Sequence, residues 1–307
     1  MMKRLKISIS VFLGVFLLTA CDQDIPVDQL KAKYLKSNST FVTIDGTAVH
    51  YIMEGLAEDT LPLVLIHGTS ASLHTWDTLS TLLKSKKRII RLDLPAFGLT
   101  GPTRLNQYNF NFYNQFLDEF LNALKVTQCI VAGNSLGGSI AWNYALASPD
   151  KVKQLILLDA SGYPKKDEKG SLGFKLAAIT VLNQALKHIS PKSLIRKSLE
   201  DAFYNKSLVS ETMVDQYHDL LLRAGNRGAV LELFQHPMKS DATKIKNINQ
   251  PTLIIWGKHD QLISYQNASL FKKDIRNSRM LVLDNVGHIP MEEAPVQVAD
   301  AILEFIK

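Results

Sequence analysis

Two cysteines in 307 residues leave little scope for a disulfide framework. Cys21 ends an apolar N-terminal run, while Cys129 sits in Thr127-Gln128-Cys129-Ile130-Val131-Ala132 and reads as a small core residue, not a nucleophile. Long apolar runs are missing too. The uncharged stretch at residues 7–20 has 14 residues, short of the roughly 20 that a spanning helix needs. No arginine-rich stripe or RNA-binding signature is present, which argues against a nucleic-acid partner. No ligand cluster at metal spacing appears, so neither a metal nor another cofactor is implied. Low-complexity tracts and internal repeats are likewise missing, and 46% hydrophobic with 21% charged residues describes a compact globular chain of one large domain or two small ones. The formal charge of +6 is modest, and Lys3, Arg4 and Lys6 supply three of those charges at the N-terminus.

The cationic residues 1–6 followed by the short apolar run have the form of a secretory signal peptide. Leu18-Thr19-Ala20-Cys21 resembles the bacterial lipobox. That resemblance implies removal of residues 1–20, lipidation of Cys21, and residues 21–38 as a mostly polar lipidated tether. Two or more acyl chains on Cys21 bury enough methylenes for stable anchoring in a bacterial membrane. Asp22 resembles an inner-membrane retention signal of some Gram-negative bacteria; the choice between inner and outer membrane stays open. The expected location is the cell envelope, with the folded domain outside the cytoplasm. With Cys21 acylated, Cys129 has no partner for an intramolecular disulfide.

Residues 41–53 read as a hairpin around Asp45-Gly46, a favoured two-residue turn. Six further apolar runs each end at a turn signal: residues 61–66, 88–92, 129–132, 155–158, 252–256 and 280–283. Residues 113–124, 139–148 and 294–306 carry helical spacing between them. Short, continuously apolar strands alternating with helices predict an α/β fold with a mostly parallel central sheet flanked by helices. Residues 162–246 break the alternation with helix-like segments alone. They are expected to form an inserted helical cap over a core made of residues 39–161 and 247–307, with Ser190-Pro191 as an N-cap and first helical residue. Such a cap lies over the C-terminal sheet edge, where open α/β sheets bind ligands.

Gly133-Asn134-Ser135-Leu136-Gly137 fits G-x-S-x-G between a strand and a helix, the context in which a serine hydroxyl is presented from a strained turn. Glycines at 133 and 137 give clearance, and Gly138 suits close helix–strand packing. A serine needs a base. Of eight histidines, His288 follows the last apolar run and reaches the same edge. His67 is read as ordering its own turn, His50 as a hairpin residue, and His188, His218 and His236 as cap residues in surface or packing roles. The base needs an acid. Asp260 lies past the penultimate strand, Asp159 is its competitor, and Asp284 is too close to His288 to fold back. The tetrahedral intermediate needs two amide donors, assigned to Leu136 and, in His67-Gly68-Thr69-Ser70, to Thr69.

With Asp93-Leu94-Pro95-Ala96-Phe97-Gly98, Trp256-Gly257…Asp260 and Gly287-His288…Glu293…Pro295, these residues resemble the α/β-hydrolase superfamily over residues 40–307. Family members often carry glycine where Ala96 stands. Ser135 sets aside the dehalogenase and epoxide-hydrolase branches, which have aspartate there. The chain looks most like the bacterial family V lipases and esterases, and is also similar to carbon–carbon bond hydrolases of aromatic breakdown, many of which have tryptophan at the place of Ile289. The resemblance implies a carboxylesterase or lipase acting on a small ester or lipid through an acyl-enzyme. A carbon–carbon hydrolase, lactonase or amidase with the same triad, and a non-catalytic lipoprotein binding apolar ligands, are the alternatives. Acyl preference belongs to the cap, where Leu172, Phe174, Leu176, Ile179, Val181 and Leu182 read as pocket or packing residues.

Overall fold

The computed structural model describes residues 22–164, 190–236 and 238–307. The signal peptide, Cys21, His188 and the six apolar cap residues from Leu172 to Leu182 lie outside these ranges. Eight strands form one sheet: β1 (Ser39–Ile44), β2 (Thr47–Glu54), β3 (Leu63–Ile66), β4 (Ile89–Leu92), β5 (Cys129–Asn134), β6 (Val152–Leu158), β7 (Thr252–Gly257) and β8 (Ser278–Leu283). Their spatial order is β1-β2-β4-β3-β5-β6-β7-β8. The hairpin pairs antiparallel and joins β4 antiparallel, and every later pairing is parallel. The hairpin turns as its sequence requires, with φ of +43° at Asp45 and +74° at Gly46.

Helices α1 (Val27–Tyr34), α2 (Asp77–Leu83), α3 (Phe110–Ala123) and α4 (Leu136–Ala147) come before the gap in the described residues. After it come α5 (Lys192–Ala202), α6 (Glu211–Leu221), α7 (Asn226–Gln235), α8 (Gln266–Asp274), the single-turn α9 (Pro290–Glu293) and α10 (Pro295–Phe305). Helix α3 begins three residues before the predicted start because Asn109 caps it, its side chain accepting from the Phe112 amide at 2.9 Å. Tyr113, Phe116, Leu117, Phe120 and Leu121 form its buried stripe. β5 is buried along its whole length, as a central strand covered on both faces must be. Cys129 lies there, its thiol pushed up to about 12 by burial.

Two local expectations need correction. Pro191 flanks α5 and is not its first helical residue: its ψ of 137° is extended, and the Ser190 amide donates to Asp22 Oδ2 at 2.6 Å. The stretch read as a polar tether is folded. In α1, Leu30 is 1% exposed and packs with Leu99 of the core and Leu220 of α6. Lys33 Nζ and Tyr34 OH both donate to Asp219 Oδ2, at 2.6 and 2.7 Å, and Ile25 bridges to Arg223. Among the described residues, the block between β6 and β7 carries helices and no sheet strand, and no helix is long and apolar enough to cross a membrane.

Candidate active site

The C-terminal ends of four parallel strands place the chemistry. Ser135 follows β5, Asp159 follows β6, Asp260 lies just past β7, and His288 lies past β8. Ser135 has φ 55° and ψ −116°, a conformation that L side chains rarely adopt and that surrounding structure must enforce. Two amides grip its carbonyl, from Ser139 at 3.1 Å and Ser161 at 3.0 Å, and its own amide donates to the Leu158 carbonyl at 3.1 Å. The glycines are required by close approach. A Cβ on Gly133 would stand 2.2 Å from the Gly137 carbonyl oxygen, and one on Gly137 would stand 2.2 Å from that of Ile66. Gly138 lies against Ala160, where a Cβ would come within 2.5 Å, in line with helix–strand packing.

His288 Nδ1 meets Asp260 Oδ2 at 2.7 Å. The other Asp260 oxygen accepts from the Leu262 and Ile263 amides at 2.7 and 2.9 Å, which fixes the carboxylate and with it the imidazole. Ser135, His288 and Thr69 line one cavity beneath the cap. Leu136 opens α4, at the helix end whose amides lack intrahelical partners and carry the positive pole of the dipole. The geometry therefore brings together Ser135, His288 and Thr69 around one space, next to Leu136 and with Asp260 behind the histidine.

Asp159, the competing acid, is in the same cluster. Its Oδ1 accepts from the Gly257 amide at 2.9 Å, and ligand atoms of Asp159, Asp260 and His288 lie within 4.8 Å of one another. Complete burial and then the charge of Asp260 push Asp159 well above the usual carboxylate range. A protonated Asp159 can donate to Asp260, which gives a role to Oδ2, the oxygen otherwise left without a partner. This trio does not suit a cation: the bonds already described occupy every oxygen of it except Asp159 Oδ2.

The remaining histidines are held elsewhere. His67 donates from Nδ1 to the Gly68 carbonyl at 2.8 Å and accepts at Nε2 from the Leu94 amide at 3.0 Å. Burial lowers its pKa, so it is a neutral brace for its turn. His218 binds the Ser190 carbonyl at 2.7 Å, and His236 pairs with Glu232 on the surface. Asp284 pairs with Lys258 at 2.7 Å, away from His288.

Two supports escape sequence reasoning. Asn134 Nδ2 donates to the His288 carbonyl at 3.0 Å and the Leu158 carbonyl at 3.2 Å, tying the Ser135 turn to the histidine loop. Glu293, seen in the sequence only as part of a motif, accepts from the amides of Gly287 (2.6 Å), Tyr204 (3.2 Å) and Asn205 (2.6 Å). The His288 amide adds a bond to the Ala202 carbonyl at 2.7 Å. An Asn beside a serine gives no signal of a partner 154 residues away.

Comparison with known proteins agrees with this fold. A family model described as alpha/beta hydrolase fold matches residues 62–295. The hydrolase YugF of Bacillus subtilis is 29% identical over 267 residues, 86% of this chain and 96% of its own length. Lipase 1 of Psychrobacter immobilis is 27% identical over 80% of this chain and 76% of its own. A meta-cleavage product hydrolase of Pseudomonas fluorescens IP01 superposes with a TM-score of 0.76 at 21% identity, over 87% of this chain and 97% of that one, a likeness of fold.

Proposed function

Because the chain belongs to the alpha/beta hydrolase family, we propose that it is a serine hydrolase of carboxylic esters, a carboxylesterase or lipase. The observation that carries this reading is a serine held at φ 55° on a cavity it shares with a histidine whose far nitrogen is bonded to a buried aspartate. The apolar cap side chains of that cavity, and the similarity to a lipase, support an ester with an apolar acyl part. Ser135 Oγ attacks the ester carbonyl carbon while His288 Nε2 takes its proton, and Asp260 stabilises the imidazolium. The amides of Leu136 and Thr69 receive the oxyanion. The alcohol departs with the proton from His288, and a water activated by the same imidazole releases the acid.

The test is direct. A fluorophosphonate should label Ser135, and Ser135→Ala should lose both the label and the hydrolysis of p-nitrophenyl butyrate. Undiminished hydrolysis by Ser135→Ala would overturn the assignment, and so would turnover of a carbon–carbon substrate with esters left untouched. The same proposal puts lipid on Cys21 and the folded domain outside the cytoplasm, supported by the lipobox-like Leu18-Thr19-Ala20-Cys21. Metabolic labelling with a tagged palmitate should disappear in Cys21→Ser, and label that persists removes the anchor from the proposal.

A further inference from the structure

The cavity of Ser135 and His288 takes most of its wall from cap side chains such as Leu194, Val230 and Phe234. Its described lining contains no carboxylate, and apart from His288 its one basic side chain is Arg227. Arg227 is 6% exposed and stands in the first turn of α7. Its Nη2 donates to Asp24 Oδ1 at 2.6 Å and to the Asp22 carbonyl at 2.8 Å. Nε and Nη1 are buried and have no hydrogen-bond partner.

A pairing with Asp24 alone does not account for this arrangement. A guanidinium is among the costliest groups to remove from water, and leaving two of its three nitrogens unpaired against an apolar wall forfeits their hydration without replacing it. The two acceptors on the N-terminal segment engage one nitrogen. They offset part of the charge and leave Nε and Nη1 without an acceptor on a side chain that lines the cavity. The N-terminal end of α7 adds its own positive field.

We propose that Arg227 is an anion-binding residue of the catalytic cavity, so that the substrate carries a carboxylate or phosphate besides its apolar chain and scissile ester. The anion would accept from Nε and Nη1, and charge-assisted bonds in a water-poor cavity are the strong ones. This specificity rests on the ester-hydrolase reading of the same cavity, but the binding itself does not require catalysis.

Two arms separate the sources of the anion. One compares a 1-acylglycerol phosphate with the 1-acylglycerol of the same chain. The other compares the mono-p-nitrophenyl ester of hexanedioic acid with p-nitrophenyl hexanoate. The wild-type protein should favour the anionic member of at least one pair in kcat/KM, and Arg227→Met should cut that ratio by about tenfold or more. Asp24→Asn loosens the partner of Nη2 while sparing Nε and Nη1, and should keep the ratio. A wild type without preference in either pair overturns the proposal, as does an Asp24→Asn ratio that falls as far as that of Arg227→Met, since Arg227 would then be a strut. Equilibrium binding to Ser135→Ala separates this failure from failure of the esterase reading. Hexyl phosphate or hexanoate should bind about tenfold more weakly when Arg227→Met is added, with hexanol unaffected; equal loss for hexanol, or no loss for either anion, sinks the site whatever reaction the serine performs.

Discussion

On one flank of the sheet, Ser39 Oγ meets His50 Nε2 at 2.9 Å and His50 Nδ1 meets Asp93 Oδ2 at 2.8 Å. On the other, His288 Nδ1 meets Asp260 Oδ2 at 2.7 Å beside Ser135. The two imidazole–carboxylate pairs are almost identical in length, and each carboxylate also takes two backbone amides, but the serines at the far end stand in different places. Asp93 also accepts from the Leu73 and Leu99 amides, at 2.7 and 2.8 Å, and knots the loop after β4 to its neighbours. Burial would raise its pKa, but the charge and hydrogen bond of His50, with lesser contributions from His67 and His74, together outweigh it and hold the carboxyl at about 2. Ser39 begins an edge strand, and the Lys36 amide donates to its oxygen. It has no strained backbone, and it does not line the cavity. A serine–histidine–aspartate chain is therefore also a stabilising motif. What sets Ser135 apart is its strained turn and its place on the cavity.

The largest expected contrast is between the serines. Ser135→Ala should lower ester turnover by a factor on the order of 10³–10⁶, while Ser39→Ala should leave kcat/KM within about threefold and change stability by about 1 kcal/mol. Equal losses in steady-state assays would erase the distinction. The aspartates come next and should respond in opposite ways. Asp260→Asn should cut kcat by on the order of 10⁴ with little change in urea midpoint. Asp93→Asn should cost about 3 kcal/mol in urea unfolding and leave the folded fraction active. The sign for Asp93 follows from its lowered folded pKa: its contribution is present above the unfolded value near 3.8 and is lost as pH falls towards about 2. The acid-unfolding curve of Asp93→Asn should lack that component.

A third buried acid sharpens the contrast because hydroxyls, not an imidazole, face it. Glu292 accepts from Thr75 Oγ1 and from Tyr217 OH, and burial raises it to about 7. The unfolded chain ionises near 4.5 while the folded one keeps its proton, so stability falls as pH rises from about 4.5 to about 7. Glu292→Gln should remove that slope and gain about 3 kcal/mol on wild type at pH 8 relative to pH 4. Parallel slopes in the two proteins would contradict it. The smallest effect lies in the Asp93 loop, where Ala96 adopts φ +83°. Ala96→Gly relieves that strain and should raise Tm by about 2–4 °C by calorimetry.

Much of this was legible in the chain because parallel strands buried on both faces must be short and apolar, and each such run stops at the edge where ligands bind. That logic, with the G-x-S-x-G motif and the chain order Ser…Asp…His, put Ser135, Asp260 and His288 at one sheet edge, where the structure has them. It could not pair His50 with Asp93, which depends on β2 lying antiparallel to β4. Nor could it fold residues 22–38, where Leu30, flanked by half-buried Ile25, Val27 and Tyr34, makes the buried contact and charged groups pair with Asp219, Asp77 and Arg227. Arg227 was unremarked for the same reason: a single cation in a polar segment shows no periodicity, and its meaning depends on what surrounds it in space.

The three amides gathered by Glu293 come from both sides of a boundary, two from the segment after α5 and one from the loop of His288. Together with the bond from the His288 amide to Ala202, they fasten the histidine loop to the cap at that corner. The imidazole and the cap wall beside it therefore share one anchorage, and a change that loosens Glu293 disturbs both at once.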